Sequence, residues 1–135
     1  MPQQAPQEAR RGPRNSQPRL PPQPEVEAVH AGQHLYVIQM AVTGAIKVGR
    51  SQDPKVRLVQ LQTGCPYLCR LILVGTDLGC REKSLHRRLH RYRTARFPGE
   101  WFTEEALGEL PPEIYNLFTP ETLELVNSDW WRHPT

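Results

Sequence analysis

Two apolar, β-rich runs, Leu35 to Val42 and Ala45 to Val48, are separated only by Thr43-Gly44. Runs this close can pair only as an antiparallel hairpin, and that restricts the fold more than any other feature of the chain. Directly opposed residues share a face of a sheet, and a two-residue turn sets Met40 opposite Lys47. Tyr36 has the parity of Met40, so it lies on the face of Lys47, and this holds for any loop of even length. After Gly49, Asp53 and Pro54 read as the N-cap and first residue of a helix that Gly64 stops. Arg57 then falls in its first turn. The stretch 36–57 thus carries Tyr, Lys, Gly and Arg on a hairpin running into a helix.

Leu68 to Val74 is a third β-rich run whose continuous apolar part, Leu71 to Val74, fits a strand covered on both faces, central or packed under helices. Cys80 to about Arg93 reads as a helix with Leu85, Leu89 and Tyr92 on one stripe. Glu82 falls within about 20° of Leu89 on that inward stripe. An inward carboxylate needs a metal or a cationic partner, or must snorkel off the stripe's edge. Trp101 and Phe102 read as apolar plugs of the core, with stacking on bases as the sharper alternative. Short helices follow over 103–110, 112–118 and 119–126, the last with Thr119 as cap, Pro120 first and Glu121 in the first turn. Trp130 and Trp131 are either a docking anchor or an exposed patch for another protein. The expected fold is α+β: a small, mainly antiparallel three-stranded sheet, its strands near 35–42, 45–50 and 68–75, flanked by helices.

Composition divides the chain. Residues 1–30 hold seven prolines, five glutamines and hardly any large apolar side chain, so they cannot offset their ordering entropy and read as a disordered tail. Residues 31–102 have twelve basic and four acidic residues, and 103–135 have one and seven, which gives a domain of net charge +8 followed by an acidic helical extension of −6 packed on it. A basic middle of this kind suits a phosphate backbone, with a solvated helix face as the plain alternative. The candidate contacts are Arg50, Lys83, Arg87, Arg88 and Arg91. Three cysteines and no secretory segment point to reduced thiols in a cytoplasmic protein. No apolar run approaches the roughly 20 residues of a membrane helix. Cys65-x3-Cys69 and His86-x3-His90 imitate a zinc pattern, but an apolar strand fills the interval.

HLY at 34–36, KVG at 47–49, Arg57, REKSLHRRL at 81–89 and GEWF at 99–102 together resemble the GIY-YIG nuclease superfamily, in its small phage-associated and bacterial branch. The resemblance covers about residues 33–102. His34 stands in place of the first Gly and Lys47 in place of the second Tyr, as in some restriction enzymes of the superfamily. What the resemblance implies is a metal-dependent endonuclease that hydrolyses nucleic-acid phosphodiester bonds, with DNA as the expected partner and one Mg²⁺ or Mn²⁺ held by Glu82. Tyr36 would help activate water, Arg57 would stabilise charge on phosphorus, and Lys47 would orient or assist electrostatically. Gly49 and His86 are secondary members of the site. Such a site requires Tyr36, Lys47, Arg57 and Glu82 to converge on one concave basic surface, on the same side of the sheet, and a Glu82 on the side opposite Tyr36 would remove this nuclease reading. The alternatives are a DNA-binding module of the same fold that does not cut, and a protein-interaction adaptor using the Trp130-Trp131 end. Deleting residues 1–28 should leave the melting temperature nearly unchanged, and a large fall would show that the tail docks.

Overall fold

The computed structural model describes residues 32–134, so the Pro- and Gln-rich stretch lies outside the described residues. Strands β1 (His34–Met40), β2 (Ile46–Ser51), β3 (Cys69–Gly75), β4 (Arg93–Thr94) and β5 (Trp101–Phe102) form an antiparallel sheet in the order β3-β1-β2-β5-β4. Helices α1 (Pro54–Thr63) and α2 (Glu82–Arg88) follow β2 and β3, and α3 (Pro112–Tyr115) and α4 (Pro120–Asn127) complete the chain. The fold is α+β as expected, with five strands in place of three. The two additional strands are two residues each, too short for an alternating pattern to register.

The hairpin closes differently from the expected two-residue turn. Met40 N–H donates to Ala45 O at 2.8 Å and Gly44 N–H to Met40 O at 2.9 Å, which leaves a four-residue loop. Ile38, not Met40, then stands opposite Lys47, and Tyr36 stands opposite Gly49. Because the loop is still even, Tyr36 and Lys47 keep a common face.

Alternation along the strands sorts the core into two layers. Leu35, Val37, Ile46, Val48, Ile72, Leu73 and Phe102 face α2, whose Leu85 packs on them together with Leu89 at its C-cap; Ala106, Leu110 and Ile114 from the C-terminal segment join the same layer. Tyr36, Ile38, Met40, Ala45, Cys69 and Trp101 face the other way, against Leu58 and Leu61 of α1 and Phe97. The neighbours Trp101 and Phe102 serve opposite layers, as a strand dictates. β3 is an edge strand rather than a central one, packed under α1 and α4. Its continuous apolar run has a second cause: the register with β1 shifts between Val37 and Ile38, so Leu73 opposes Val37 and Leu71 opposes Ile38. Ile72 is the extra residue of a bulge, and Ile72 and Leu73 enter the same layer.

Asp53 caps α1 through a bond from Val56 N–H, Pro54 opens it and Gly64 ends it. The helix expected over 80–93 is shorter. Only Glu82–Arg88 is α-helical, between 3₁₀ turns at Gly79–Arg81 and His90–Tyr92. It ends early because the chain must turn to deliver Arg93 and Thr94 to β5, and Thr103 N–H donates to Tyr92 O at that junction.

The tryptophan end is a docking anchor. Trp130 and Trp131 are 7% and 9% exposed and pack with Ala41. Trp130 Nε1–H donates to Oε1 of the fully buried Gln39 at 3.0 Å, and the Gln39 amide donates to Gly44 O at 3.1 Å. Val42 N–H donates to Trp131 O at 2.7 Å. Val42 adopts φ +72, rare for a β-branched residue, and Gly44 φ +76, where a Cβ would press on the Trp131 ring at 3.0 Å. Trp130→Ala should therefore cost about 3–5 kcal/mol. Trp130→Phe retains most of the packing but orphans Gln39 and should cost about 1–3 kcal/mol. Urea denaturation midpoints check both.

Candidate functional site

The site is built around an unfinished strand edge. In an antiparallel ladder, opposed pairs alternate between bonded and non-bonded. Counting from the Met40–Ala45 bond, Lys47 and Gly49 turn their backbone groups toward β1, while Ile46 and Val48 turn theirs away. β5 meets β2 only at Ile46. The Val48 carbonyl thus points to an open edge, and Nε2 of His86 lies 2.6 Å from it. Nδ1 of the same ring lies 2.6 Å from Glu100 Oε1. Both neighbours are acceptors, so a singly protonated ring can donate to one of them only and the imidazolium donates to both. The ring also packs edge-on to Phe102, with centroids 5.4 Å apart.

On the α1 side of the sheet, Tyr36 is 2% exposed and lies directly over Gly49. A Cβ at Gly49 would overlap the Tyr36 hydroxyl and come within 3.0 Å of its Cε2, which explains the glycine of the KVG run. Among the described residues the Tyr36 hydroxyl has no hydrogen-bond partner. Lys47 projects from the same face, half-buried, with its ammonium 5.7 Å from the Trp101 ring centroid and against Gly99, where a Cβ would stand 3.3 Å from Nζ. Burial lowers the Lys47 pKa, the nearby Arg57 guanidinium lowers it further, and the Glu100 and Glu82 carboxylates oppose both. Arg57 is half-buried on the first turn of α1, its Nη1 hydrogen-bonded to Gln60 Oε1 at 3.2 Å.

Glu82 begins α2, which packs on the face opposite Tyr36, so the four residues do not share a side of the sheet as expected. The same-side arrangement is thus overturned, and what the structure brings together lies at the sheet's edge, where Lys47 feels the charges of Arg57, Glu82 and Glu100 while no contact among the described residues joins Tyr36 to Glu82. A sheet separates its faces only where strands continue on both sides, and beyond Ile46 no strand among the described residues continues alongside β2 on the β5 side. Lys47 from one face therefore lies within electrostatic reach of Arg57 on its own side and of Glu82 and Glu100 beyond the edge. The start of α2 is pinned against β1 by Gly79, whose N–H donates to Gln33 O at 2.8 Å; a Cβ there would stand 2.8 Å from that oxygen. Glu82 lies with Oε1 3.6 Å from Arg50 Nε and Oε2 3.9 Å from His86 Nε2, its side chain 23% exposed. Neither distance is that of a direct hydrogen bond. The carboxylate retains lone pairs for a hard cation, and among the described residues no three His, Cys, Asp or Glu side chains gather to hold one. This donor set fits an ion such as Mg²⁺ that keeps most of its waters.

Among the basic candidates, Lys83, Arg87 and Arg91 are exposed, Arg91 lying over the Tyr92 ring. Arg50 is engaged with Glu82, and Arg88 donates to Glu109 O at 2.8 Å. Arg81 pairs with Glu113 at 2.9 Å. Part of the basic helix is thus held by the acidic C-terminal segment. A cleft of about 420 Å³ lined by His86, Arg87, His90, Arg93, Glu100 and Phe102 opens beside the edge. Sequence reasoning passed over Glu100, although a lone acid between Gly99 and a buried aromatic pair was a signal. It is one of only four acids in residues 31–102. Cys65 and Cys69 lie 3.5 Å apart by sulfur in the α1-side layer, and burial, with Cys65 alongside, pushes the Cys69 thiol up to about 12.

The domain is antiparallel α+β, with Tyr36 on the interior strand β1, Arg57 on α1, and Lys47 at the open edge of β2 within electrostatic reach of Glu82 and Glu100. Residues 33–115 match the model of the T5orf172 domain, and the chain belongs to that family. Comparison with curated proteins and with solved structures gives no match. Gly49→Ala should cost about 1–3 kcal/mol by overpacking against Tyr36. Tyr36→Phe in the same chain should recover part of that loss, and a double-mutant cycle of melting experiments that comes out additive would contradict the contact.

Proposed function

We propose that the chain is a metal-dependent endonuclease of the GIY-YIG type, hydrolysing phosphodiester bonds in nucleic acid, with DNA as the expected substrate. The observation that carries this reading is the position of Lys47, half-buried on the face of Tyr36 and within electrostatic reach of the Arg57 guanidinium and of the Glu82 and Glu100 carboxylates. Membership of the T5orf172 family and the order of the motif residues support it.

In this reading the buried Tyr36 hydroxyl, which no described residue engages, accepts a proton from the attacking water. Lys47, on the same face of the sheet, assists by placing its positive charge on the side of the phenol. Arg57 meets the additional negative charge that develops on the phosphoryl oxygens. Glu82 would hold a divalent cation, which when bound supplies Lewis-acid polarisation of the phosphate. His86 keeps Glu100 and the Val48 carbonyl in place, and Lys83, Arg87 and Arg91 contact flanking phosphates.

Since Glu82 and Arg50 are both partly exposed, their ion pair contributes little to stability. Glu82→Ala should accordingly leave the melting temperature nearly unchanged, abolish Mg²⁺-dependent cleavage and preserve or tighten DNA binding in EDTA. Arg57→Ala should lower the cleavage rate about 10²- to 10³-fold with a modest loss of binding. The second reading, a binding module that does not cut, is favoured by two observations: Glu82 lies on the side of the sheet opposite Tyr36, and its carboxylate already has the Arg50 guanidinium beside it. A wild-type protein that binds DNA with a steep salt dependence but cuts no DNA structure with Mg²⁺ or Mn²⁺ would establish it in place of the nuclease.

A further inference from the structure

Of the seventeen basic residues, fourteen are arginines and only Lys47, Lys55 and Lys83 are lysines. Lys55 and Lys83 are exposed, whereas Lys47 is half-buried at the centre of the site. Its amine makes no hydrogen bond and no ion pair among the described residues. Other charged residues of the domain are partnered: Glu100 by His86 and Arg93, Arg81 by Glu113, Arg50 by Glu82. A cation whose role is structural is held by a carboxylate, as these are. Lys47 instead makes a cation–π contact with the Trp101 ring and lies against the bare Cα of Gly99, so its nitrogen keeps its place without a hydrogen bond or carboxylate clamp that an attack on substrate would have to break.

An amine so placed has chemistry that arginine lacks, because a lysine nitrogen can lose its proton and attack a carbonyl carbon. In nucleic acid the accessible carbonyl is the C1′ aldehyde of an abasic deoxyribose, exposed when the sugar ring opens. We propose that Lys47 is the nucleophile of a metal-independent lyase activity on abasic sites in DNA, with Glu100 or Glu82 as the base. The inference rests on the nucleic-acid-binding part of the function proposed above and not on its metal. The Lys47 nitrogen attacks C1′, and loss of one water leaves an imine. A carboxylate removes a proton from C2′, the C3′–O3′ bond breaks, and its electron pair leaves with the phosphate. The products are a downstream strand with a 5′-phosphate and an unsaturated aldehyde still joined to Lys47 as the imine. One water hydrolyses that imine and returns the amine, so atoms balance and no oxidant or reductant is consumed. Both carboxylates are within electrostatic reach of Lys47, and burial together with Arg57 enlarges the fraction of the amine that is neutral. Tyr36 and Arg57 share its surroundings, and Arg57 remains available for the departing phosphate.

The test uses the full chain, EDTA, and an end-labelled duplex with a single abasic site. Borohydride reduces the imine to a secondary amine, so a covalent protein–DNA band should form with wild-type protein, and peptide mapping should put the adduct on Lys47. Lys47→Arg keeps the positive charge but cannot form the imine, and at protein concentrations that saturate the duplex it should lose the trapped band by more than about tenfold. The trapping rate should rise with pH and reach half its plateau below lysine's usual 10.5, because the neutral amine is the reactive form. No trapped band, or an adduct mapped to Lys55, Lys83 or the α-amine, overturns the proposal, as does a Lys47→Arg protein that traps as well as wild type. The two functions fail separately. Mg²⁺-dependent cleavage of intact DNA without trapping removes the lyase alone, and trapping in EDTA without Mg²⁺-dependent cleavage removes the metal-dependent nuclease alone.

Discussion

The open edge of β2 is the constraint on which the site depends. A backbone carbonyl turned out of a sheet must find a donor or water, and at Val48 the neighbouring strand has already ended. The His86 side chain provides the donor, and doing so fixes α2 against the strand at the level of Lys47. The second ring nitrogen then determines where Glu100 lies. One unsatisfied carbonyl thus brings two carboxylates near a lysine that projects from the opposite face. Had β5 continued along β2, the sheet would have screened them from one another.

A second device holds the hairpin that carries Tyr36 and Lys47. Gln39, buried in the sheet, donates to the Gly44 carbonyl and accepts from Trp130, while Trp131 covers Gly44 and accepts from Val42 N–H. The loop can keep Val42 in a left-handed conformation, itself worth about 1–3 kcal/mol of strain, only because these contacts are made together. The end of the described chain therefore governs the geometry of a turn ninety residues earlier, and that turn sets which residue faces Lys47.

The charge asymmetry also acquires a structural meaning. Two positions of the basic segment, Arg81 and Arg88, are held by Glu113 and by the Glu109 carbonyl, so the acidic C-terminal segment secures one side of that segment while Lys83, Arg87 and Arg91 stay exposed. The same segment contributes Ala106, Leu110 and Ile114 to the α2-side core.

By itself the sequence determined what depends on neighbours along the chain. The α1 caps, the class of fold and the parity of Tyr36 with Lys47 were legible because capping, alternation and even loop length are local properties. Parity survived even though the loop grew to four residues, since the two lengths differ by an even number. The early end of α2, the edge position of β3 and the bulge at Ile72 were not legible, because each answers to a pairing partner distant in sequence. Glu82 illustrates the division most clearly. Helical periodicity set it on the apolar stripe, and the structure leaves it part-buried beside Arg50, because periodicity refers only to the helix's own axis. Which face of the sheet that helix covers, and where β5 stops along β2, are decided by tertiary contacts, and those contacts bring Glu82 and Lys47 together around an edge that no local pattern encodes.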